Sequence, residues 1–325
     1  MDYLILFFVL FFLEIFYFKI ADKYNIIDKP NHRSAHTEIT LRGGGIVFWF
    51  AALIYFIQDI QVSSAFFAGI TIMSLVSFWD DIQSLPNKVR LVAHFSAITI
   101  VFYSLDLFHV LPLHYVFAAY VFFIGIINAY NFMDGINGIT GLYTLVCFAS
   151  FWYVNENVFR FIDTHFVVYP IIASVVFLFF NFRKKAKCFA GDIGSIAIAF
   201  WVVYVMLQLI LKTNSLVWIL FLAVYGVDSV CTILHRLYLR ENIFEAHRWH
   251  LYQILSNEYR MQHRIVSAIY ALFQILASAV VVLLYNRFPD IYLFLIVLVP
   301  LLLLYTVKFY LINRQKKLVY GSEGY

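Results

Sequence analysis

Residues 191–211 read GDIGSIAIAFWVVYVMLQLIL, and this stretch decides the architecture. No charged side chain occurs between Ile193 and Leu211. A helix that crosses a bilayer needs about 20 mostly apolar residues, with roughly 17 as the lower limit, so the run reads as a span. It opens on Gly191-Asp192-Ile193-Gly194-Ser195, a carboxylate and two glycines at the membrane face. Comparable runs recur near 3–20, 43–58, 63–79, 91–107, 115–131, 139–154, 165–181, 216–236, 265–285 and 291–311. The expectation is an all-α, polytopic integral membrane protein of about 10–11 transmembrane helices, forming one domain over residues 1–325.

Composition agrees. The chain is 63% hydrophobic and 13% charged, whereas a soluble domain carries roughly 45–50% apolar and about 25% charged residues. A water-soluble globule is excluded, and a net charge of +4 gives no argument for nucleic acid. Cys147, Cys188 and Cys231 lie far apart and read as packed free thiols, not a disulfide framework. Met1-Asp2-Tyr3 lacks the basic start of a signal peptide, so the first run reads as a retained helix.

The charges predict the orientation. Of the 23 Lys and Arg residues, all but Arg160, Lys212 and Arg287 fall in one alternate set of loops. Positive charge accumulates on the cytoplasmic side. This places the loops near 21–42, 80–90, 131–138, 182–194 and 237–264 inside, with the N-terminus outside (periplasmic) and the C-terminus cytoplasmic.

The polar motifs occupy those same inner loops: DKPNHRSAH at 28–36, Trp79-Asp80-Asp81 followed by Lys88, NAYNFMDGINGITG at 128–141, AGDIGS at 190–195, Asp228 with Arg236, and HRWH at 247–250. Carboxylates at a membrane face are costly and are usually paired or functional. If Asp80, Asp81, Asp134 and Asp192 converge, a divalent cation is their simplest partner, and Mg²⁺ prefers such oxygen donors. Asn128, Asn131 and Asp134 are spaced by three and share a helical face. Gly43-Gly44-Gly45 and Gly191-Asp192-Ile193-Gly194-Ser195 open helices whose free N–H groups favour phosphate. Together these are the parts of a phosphoryl-transfer site.

These six ordered motifs resemble the polyprenyl-phosphate N-acetylhexosamine-1-phosphate transferases, the glycosyltransferase 4 family, in its O-antigen-initiating branch. The resemblance spans residues 28–250. It implies a Mg²⁺-dependent enzyme (Mn²⁺ a substitute) of a bacterial cytoplasmic membrane. Such an enzyme moves an N-acetylhexosamine 1-phosphate from a UDP-sugar to undecaprenyl phosphate, gives undecaprenyl-diphospho-sugar and UMP, and initiates O-antigen or related cell-surface polysaccharide synthesis. It further implies Asp192 and Asn131 as metal contacts, and Asp80 and Asp81 as the acidic pair near the lipid phosphate, with Lys88 on a phosphate. Asn128 and Asp134 become nucleotide-sugar residues, and Arg248 and His250 diphosphate or sugar contacts, with His247 and Arg33 beside them. Membrane lipid surrounds the chain, and a homodimer is compatible with this reading but not required by it.

Two departures stand out. His247-Arg248-Trp249-His250-Leu251-Tyr252-Gln253 replaces the acidic and histidine-rich loop of many relatives, which leaves the sugar open, and Leu41 stands where relatives often have proline. Plainer roles are available too: Asp80-Asp81 or Asp192 as helix caps, His247 or His250 as surface histidines, Arg33 and His36 as loop organisers. A transporter would place ionisable groups at mid-membrane, and only Glu14 and Asp228 fit that. A CDP-alcohol phosphatidyltransferase would need Asp-Gly-x-x-Ala-Arg, which Asp134-Gly135-Ile136-Asn137-Gly138-Ile139 does not continue.

Overall fold

The computed structural model describes residues 1–28, 39–243, 245 and 247–320. Helix α1 (Tyr3–Lys23) leads into a two-residue strand β1 (Ile27–Asp28), which pairs antiparallel with β2 (Thr40–Leu41). Then come α2 (Ile46–Gln58), α3 (Ile60–Ile82), α4 (Asn87–Ser104), one short turn α5 (Leu107–Val110), α6 (Leu113–Met133), α7 (Ile139–Asn157), α8 (Thr164–Asn181) and α9 (Gly191–Thr213). A 3₁₀ stretch (Leu216–Leu222) feeds α10 (Ala223–Tyr238); after a loop, α11 (Leu251–Gln253) precedes α12 (His263–Leu284), α13 (Asp290–Tyr305) and α14 (Val307–Tyr320).

Each of the eleven apolar runs coincides with helix, so the all-α polytopic expectation holds. Among the described residues, eight helices are long and apolar enough to cross a membrane: α1, α3, α6, α8, α9, the 3₁₀–α10 unit, α12 and the α13–α14 unit. Of the remaining three runs, α2 is short, and α4 and α7 carry more polar residues. Boundaries shift where proline intervenes. Pro86, Pro112 and Pro289 each precede a helix, where the missing N–H costs nothing and the fixed φ suits the helix. For this reason α4 starts at Asn87, a turn before its apolar run.

The centre of the bundle is α9. Its apolar window is 89% buried, against at most 61% in any other span, as expected of a helix hydrophobic on every side. α2, α3, α6 and α7 pack around it. The outer helices keep large apolar side chains on the outside, Leu113 (78% exposed) and Phe117 (69%) among them. In water such a surface would aggregate; against lipid tails it costs nothing. Glu14, within α1, is fully buried beside Cys188 Sγ. The three cysteines are free.

Helices α2 and α9 begin side by side. A Cβ on Gly45 would lie 2.2 Å from Gly194 Cα, and one on Gly194 would lie 2.4 Å from Gly45 Cα, so neither position admits a side chain. Gly44 N and Gly45 N donate to Phe189 O and Ala190 O at 2.8 and 3.0 Å, and Leu41 bridges in parallel to Cys188. The loop before α2 is thus sewn to the loop before α9. Gly194→Ala forces backbone apart and should destabilise by about 1–3 kcal/mol, the usual cost of overpacking. Gly125→Ala meets nothing within 4 Å and should leave stability unchanged or slightly raised. Melting of the detergent-solubilised variants checks this; equal melting of the two would contradict the close approach.

Candidate active site

Four helix ends converge at one end of the bundle. Asp81 ends α3 and is fully enclosed; its Oδ1 accepts from Asp192 N at 2.9 Å and its Oδ2 from Ile193 N at 3.1 Å. A carboxylate at the C-terminus of its own helix is unfavourable, but at the N-terminus of another it meets the positive end of the dipole. Asp81 therefore caps α9 from outside. Gly191, at φ +71°, makes room: a Cβ there would lie 2.6 Å from Asp81 Oδ2. Arg42 completes the lock, with Nε 2.8 Å from Asp81 Oδ1 and a guanidinium nitrogen 3.7 Å from Asp192 Oδ1. Partial burial works against the Arg42 charge, yet Asp81 and Asp192 outweigh it and its pKa rises. Charged hydrogen bonds of this kind contribute about 1.5–3 kcal/mol each.

Because Asp81 does the capping, Asp192 makes no side-chain cap to its own helix. Its carboxylate is partly open and comes within hydrogen-bonding reach of both Asp80 and the Asn131 amide. Asn131 Nδ2 also donates to Ser195 Oγ at 3.1 Å, which leaves the amide oxygen uncommitted by these bonds. Asp80 accepts from Leu85 N and pairs with Arg90 at 3.1 Å. Asp134, just past α6, accepts from Thr140 Oγ1 at 2.6 Å. Burial pushes its carboxyl up to about 7, partly offset by the Thr140 hydroxyl.

The glycine-rich turns differ from their expected role. The leading N–H groups of α9 are held by Asp81, and Gly44 and Gly45 N–H by carbonyls, so phosphate is not cradled by these amides. The absence of Cβ atoms serves backbone–backbone contact instead.

The inner loop is held against the end of α6. Arg236, buried in α10, donates to Glu241, Asn242 O and Ile243 O. Tyr252 OH donates to Phe132 O at 2.8 Å, one residue from Asn131. His250 is buried, with its ring centroid 4.9 Å from that of His247. His247 is half-buried; burial, with His250, Arg236 and Lys308 adding to it, pushes its pKa down to about 3. Arg248 is half-buried on the same loop.

The fold therefore gathers Asp80, Asp81, Asn131, Asp134 and Asp192, with the His247–His250 segment alongside. Asn128 lies half-buried one turn back on α6, and Lys88 is exposed at the start of α4. The cation seated on Asp80 is Arg90, not Lys88. Arg33 and His36 lie outside the described residues.

Among the described residues no three His, Cys, Asp or Glu side chains form a metal cluster. The donor set at hand is two carboxylates, Asp80 and Asp192, that meet each other, plus the Asn131 amide. Neighbouring carboxylates repel unless positive charge or a proton offsets them, as Arg42 and Arg90 do in part. That set fits Mg²⁺, which takes one or two carboxylates and fills its shell with water and substrate phosphate. It does not fit a zinc cage.

Known proteins bear on this geometry. The description "Glycosyl transferase family 4" matches residues 63–210. An undecaprenyl-phosphate alpha-N-acetylglucosaminyl 1-phosphate transferase of Escherichia coli O157:H7 is 25% identical over 320 residues, covering 88% of this chain and 84% of the relative. The protein of the same name from E. coli K12 is 26% identical, over 73% of this chain and 71% of its own. A probable undecaprenyl-phosphate N-acetylglucosaminyl 1-phosphate transferase of Bacillus subtilis is 26% identical, over 82% and 79%. Over most of its length the chain is similar to polyprenyl-phosphate hexosamine-1-phosphate transferases.

The region matched to glycosyl transferase family 4 holds Asp80, Asp81, Asn131, Asp134 and Asp192, but Arg42 and Asp228 lie outside it. Sequence reasoning assigned no site role to Arg42, Arg90 or Asp228. Arg42 has a sequence signal, a lone base directly before three glycines; nothing in the local sequence separates Arg90 from Lys88, two residues before it.

The Asp134 carboxyl gives a pH test. Its folded pKa is raised, so its contribution to stability is present below the ordinary carboxylate range and lost as pH rises toward about 7. In EDTA, the melting temperature of wild type relative to Asp134→Asn should fall between about pH 4 and 7 and stay level above. A constant difference would contradict a buried, largely neutral carboxyl.

Proposed function

We propose that the chain is a Mg²⁺-dependent glycosyl-1-phosphate transferase that moves an N-acetylhexosamine 1-phosphate from a UDP-sugar to undecaprenyl phosphate, producing undecaprenyl-diphospho-sugar and UMP. The observation that carries this reading is the meeting of Asp80, Asp192 and Asn131 at one end of an apolar bundle. There a lipid phosphate and a soluble diphosphate can both arrive. The charge asymmetry of the loops supports a cytoplasmic position for that end, where nucleotide sugars are made, in a bacterial inner membrane.

Asp80, Asp192 and Asn131 would hold Mg²⁺, which when bound neutralises charge on the phosphate oxygens. The chain's own residues do the positioning. Arg248 grips two diphosphate oxygens with its planar fork, and His250 bonds the same group or the sugar. Asn128, Asp134 and His247 line the nucleotide-sugar side, and Lys88 neutralises the lipid phosphate. An oxygen of that phosphate attacks the sugar-bearing phosphorus directly. A phosphate monoester is largely ionised near pH 7, so no base is needed. One P–O bond forms as the bond to the bridging oxygen breaks, and that oxygen leaves on UMP. One anhydride replaces another, so no further energy source is required. The HRWH form of the loop favours the branch that initiates O-antigen or related surface polysaccharide.

Membranes incubated with undecaprenyl phosphate and a panel of UDP-N-acetyl sugars should yield a diphospho-lipid of the expected mass together with UMP. EDTA and Asp192→Asn should each remove most of it. Arg248→Lys and His250→Ala should each lower kcat/KM for the UDP-sugar by about tenfold to a hundredfold, the equivalent of a lost charged hydrogen bond. Full turnover in EDTA would overturn the metal assignment, and solute flux without UMP would favour a transporter.

Orientation has its own test. In a cysteine-free background, a single cysteine at Arg160 should react with an impermeant thiol reagent in intact cells, and single cysteines at Ser84 and His250 should not. The opposite pattern would put the site outside.

A further inference from the structure

Asp228 belongs to none of the roles above, yet it is the most heavily bonded carboxylate among the described residues. It sits 2% exposed in α10. Its Oδ1 accepts from Leu251 N at 3.1 Å and Thr232 Oγ1 at 3.2 Å, and faces His250 Nδ1 at 3.3 Å. Its Oδ2 accepts from Tyr270 OH at 2.6 Å. Tyr305 OH and Lys308 Nζ close the far side through Thr232, at 2.8 and 3.0 Å. Groups from α10, the start of α11 and α12 thus meet on one carboxylate, which holds the residue directly before α11.

The other nitrogen of His250 supplies the second observation. Nε2 is buried and has no hydrogen-bond partner among the described residues, whereas buried polar atoms are nearly always paired. A carboxylate that already accepts an amide and a phenol can only accept, so the ring nitrogen facing it carries the hydrogen. Nδ1 is therefore the N–H, and Nε2 is the nitrogen that the described residues leave without a partner. The Tyr252–Phe132 bond sets the same loop against the end of α6, beside Asn131 and Asp134.

We infer that Asp228 is a positioning residue: it fixes the tautomer and the plane of His250 so that Nε2 faces the diphosphate of the nucleotide sugar. A phosphate oxygen carries no hydrogen, so the bound ring donates from both nitrogens, Nδ1–H to Asp228 and Nε2–H to the phosphate, the second proton being supplied by the buffer. The carboxylate across the ring offsets the charge this creates, in the manner of carboxylate–histidine pairs in other enzymes. The inference rests on the reading of His250 as a diphosphate contact and deepens it.

The test is a double-mutant cycle on the full-length protein in membranes, with both substrates varied. Asp228→Asn keeps shape and size but removes the charge across the ring, so a His250 that donates from Nδ1 and Nε2 together is no longer supported. In the wild-type background it should lower kcat by about tenfold to a hundredfold and leave KM for undecaprenyl phosphate within about twofold. His250→Gln puts an amide nitrogen roughly where Nε2 stood and needs no partner to choose between two ring nitrogens. In the His250→Gln background, Asp228→Asn should therefore cost less than about threefold.

An equal cost in both backgrounds would overturn the inference and make Asp228 a structural staple. Wild-type kcat for Asp228→Asn, with His250→Ala still impaired, would overturn it too while leaving the proposed function intact. A wild-type chain without transferase activity would sink the proposed function instead. Should Asp228→Asn fail to accumulate, Tyr270→Phe removes only the Oδ2 partner. It should give a smaller loss of kcat that vanishes in the His250→Gln background; persistence there would count against the positioning role.

Discussion

Asp81 holding the first N–H groups of α9 is the contact on which the rest depends. Helix α9 is the axis of the bundle, and its leading amides lie where protein and membrane face meet. Left to water, that end would fray; left to a ligand, the helix would be ordered only when substrate was present. A carboxylate from α3 removes both outcomes, and Arg42 from the loop before α2 holds the carboxylate in turn. Three otherwise distant segments are fixed to each other before any substrate arrives, so the remaining side chains start from known positions.

The neighbouring aspartates divide the labour. Asp81 is consumed by structure: two amides and a guanidinium take both its oxygens. Asp80, one residue earlier, points to Arg90 and Asp192. Asp192 owes its freedom to Asp81, because a residue at its place would otherwise be drawn into capping its own helix. Two carboxylates and an amide are thus kept near one another, with Arg90 on Asp80 and Arg42 3.7 Å from Asp192 as the cations already beside them. That is a preorganised arrangement for a cation and phosphates. A second centre, around Asp228, governs the loop that approaches from the other side, and Tyr252 OH on Phe132 O links the two.

The bundle was legible because a bilayer span needs only length and apolarity, and all eleven runs became helix. Helix ends were less legible. The start of α4 is set by Pro86 rather than by its first apolar residue, and the run at 216–236 opens as 3₁₀ before turning α-helical. Asp80, Asp134, Asp192 and Asn131 were legible as a group because carboxylates at helix ends have few inexpensive explanations. Their partners were not. Arg42 meets Asp81, and His250 meets Asp228, across separations that no local pattern encodes. The glycines show a different limit: a position with no room for Cβ reads the same whether phosphate or another helix comes close, and at Gly45 and Gly194 it is the helix.

The central claim is that Asp81 serves the fold so that Asp192 and Asp80 remain available to a metal, and Mn²⁺ binding measures it most directly. Purified protein in detergent, titrated with Mn²⁺ and followed by electron paramagnetic resonance, should take up one ion per chain. Asp192→Asn should lose that uptake while its melting temperature stays near wild type. Asp81→Asn should show the reverse emphasis, a clear fall in melting temperature before any loss of metal at low temperature. Undiminished Mn²⁺ uptake by Asp192→Asn, or an Asp81→Asn protein as stable as wild type, would contradict the account.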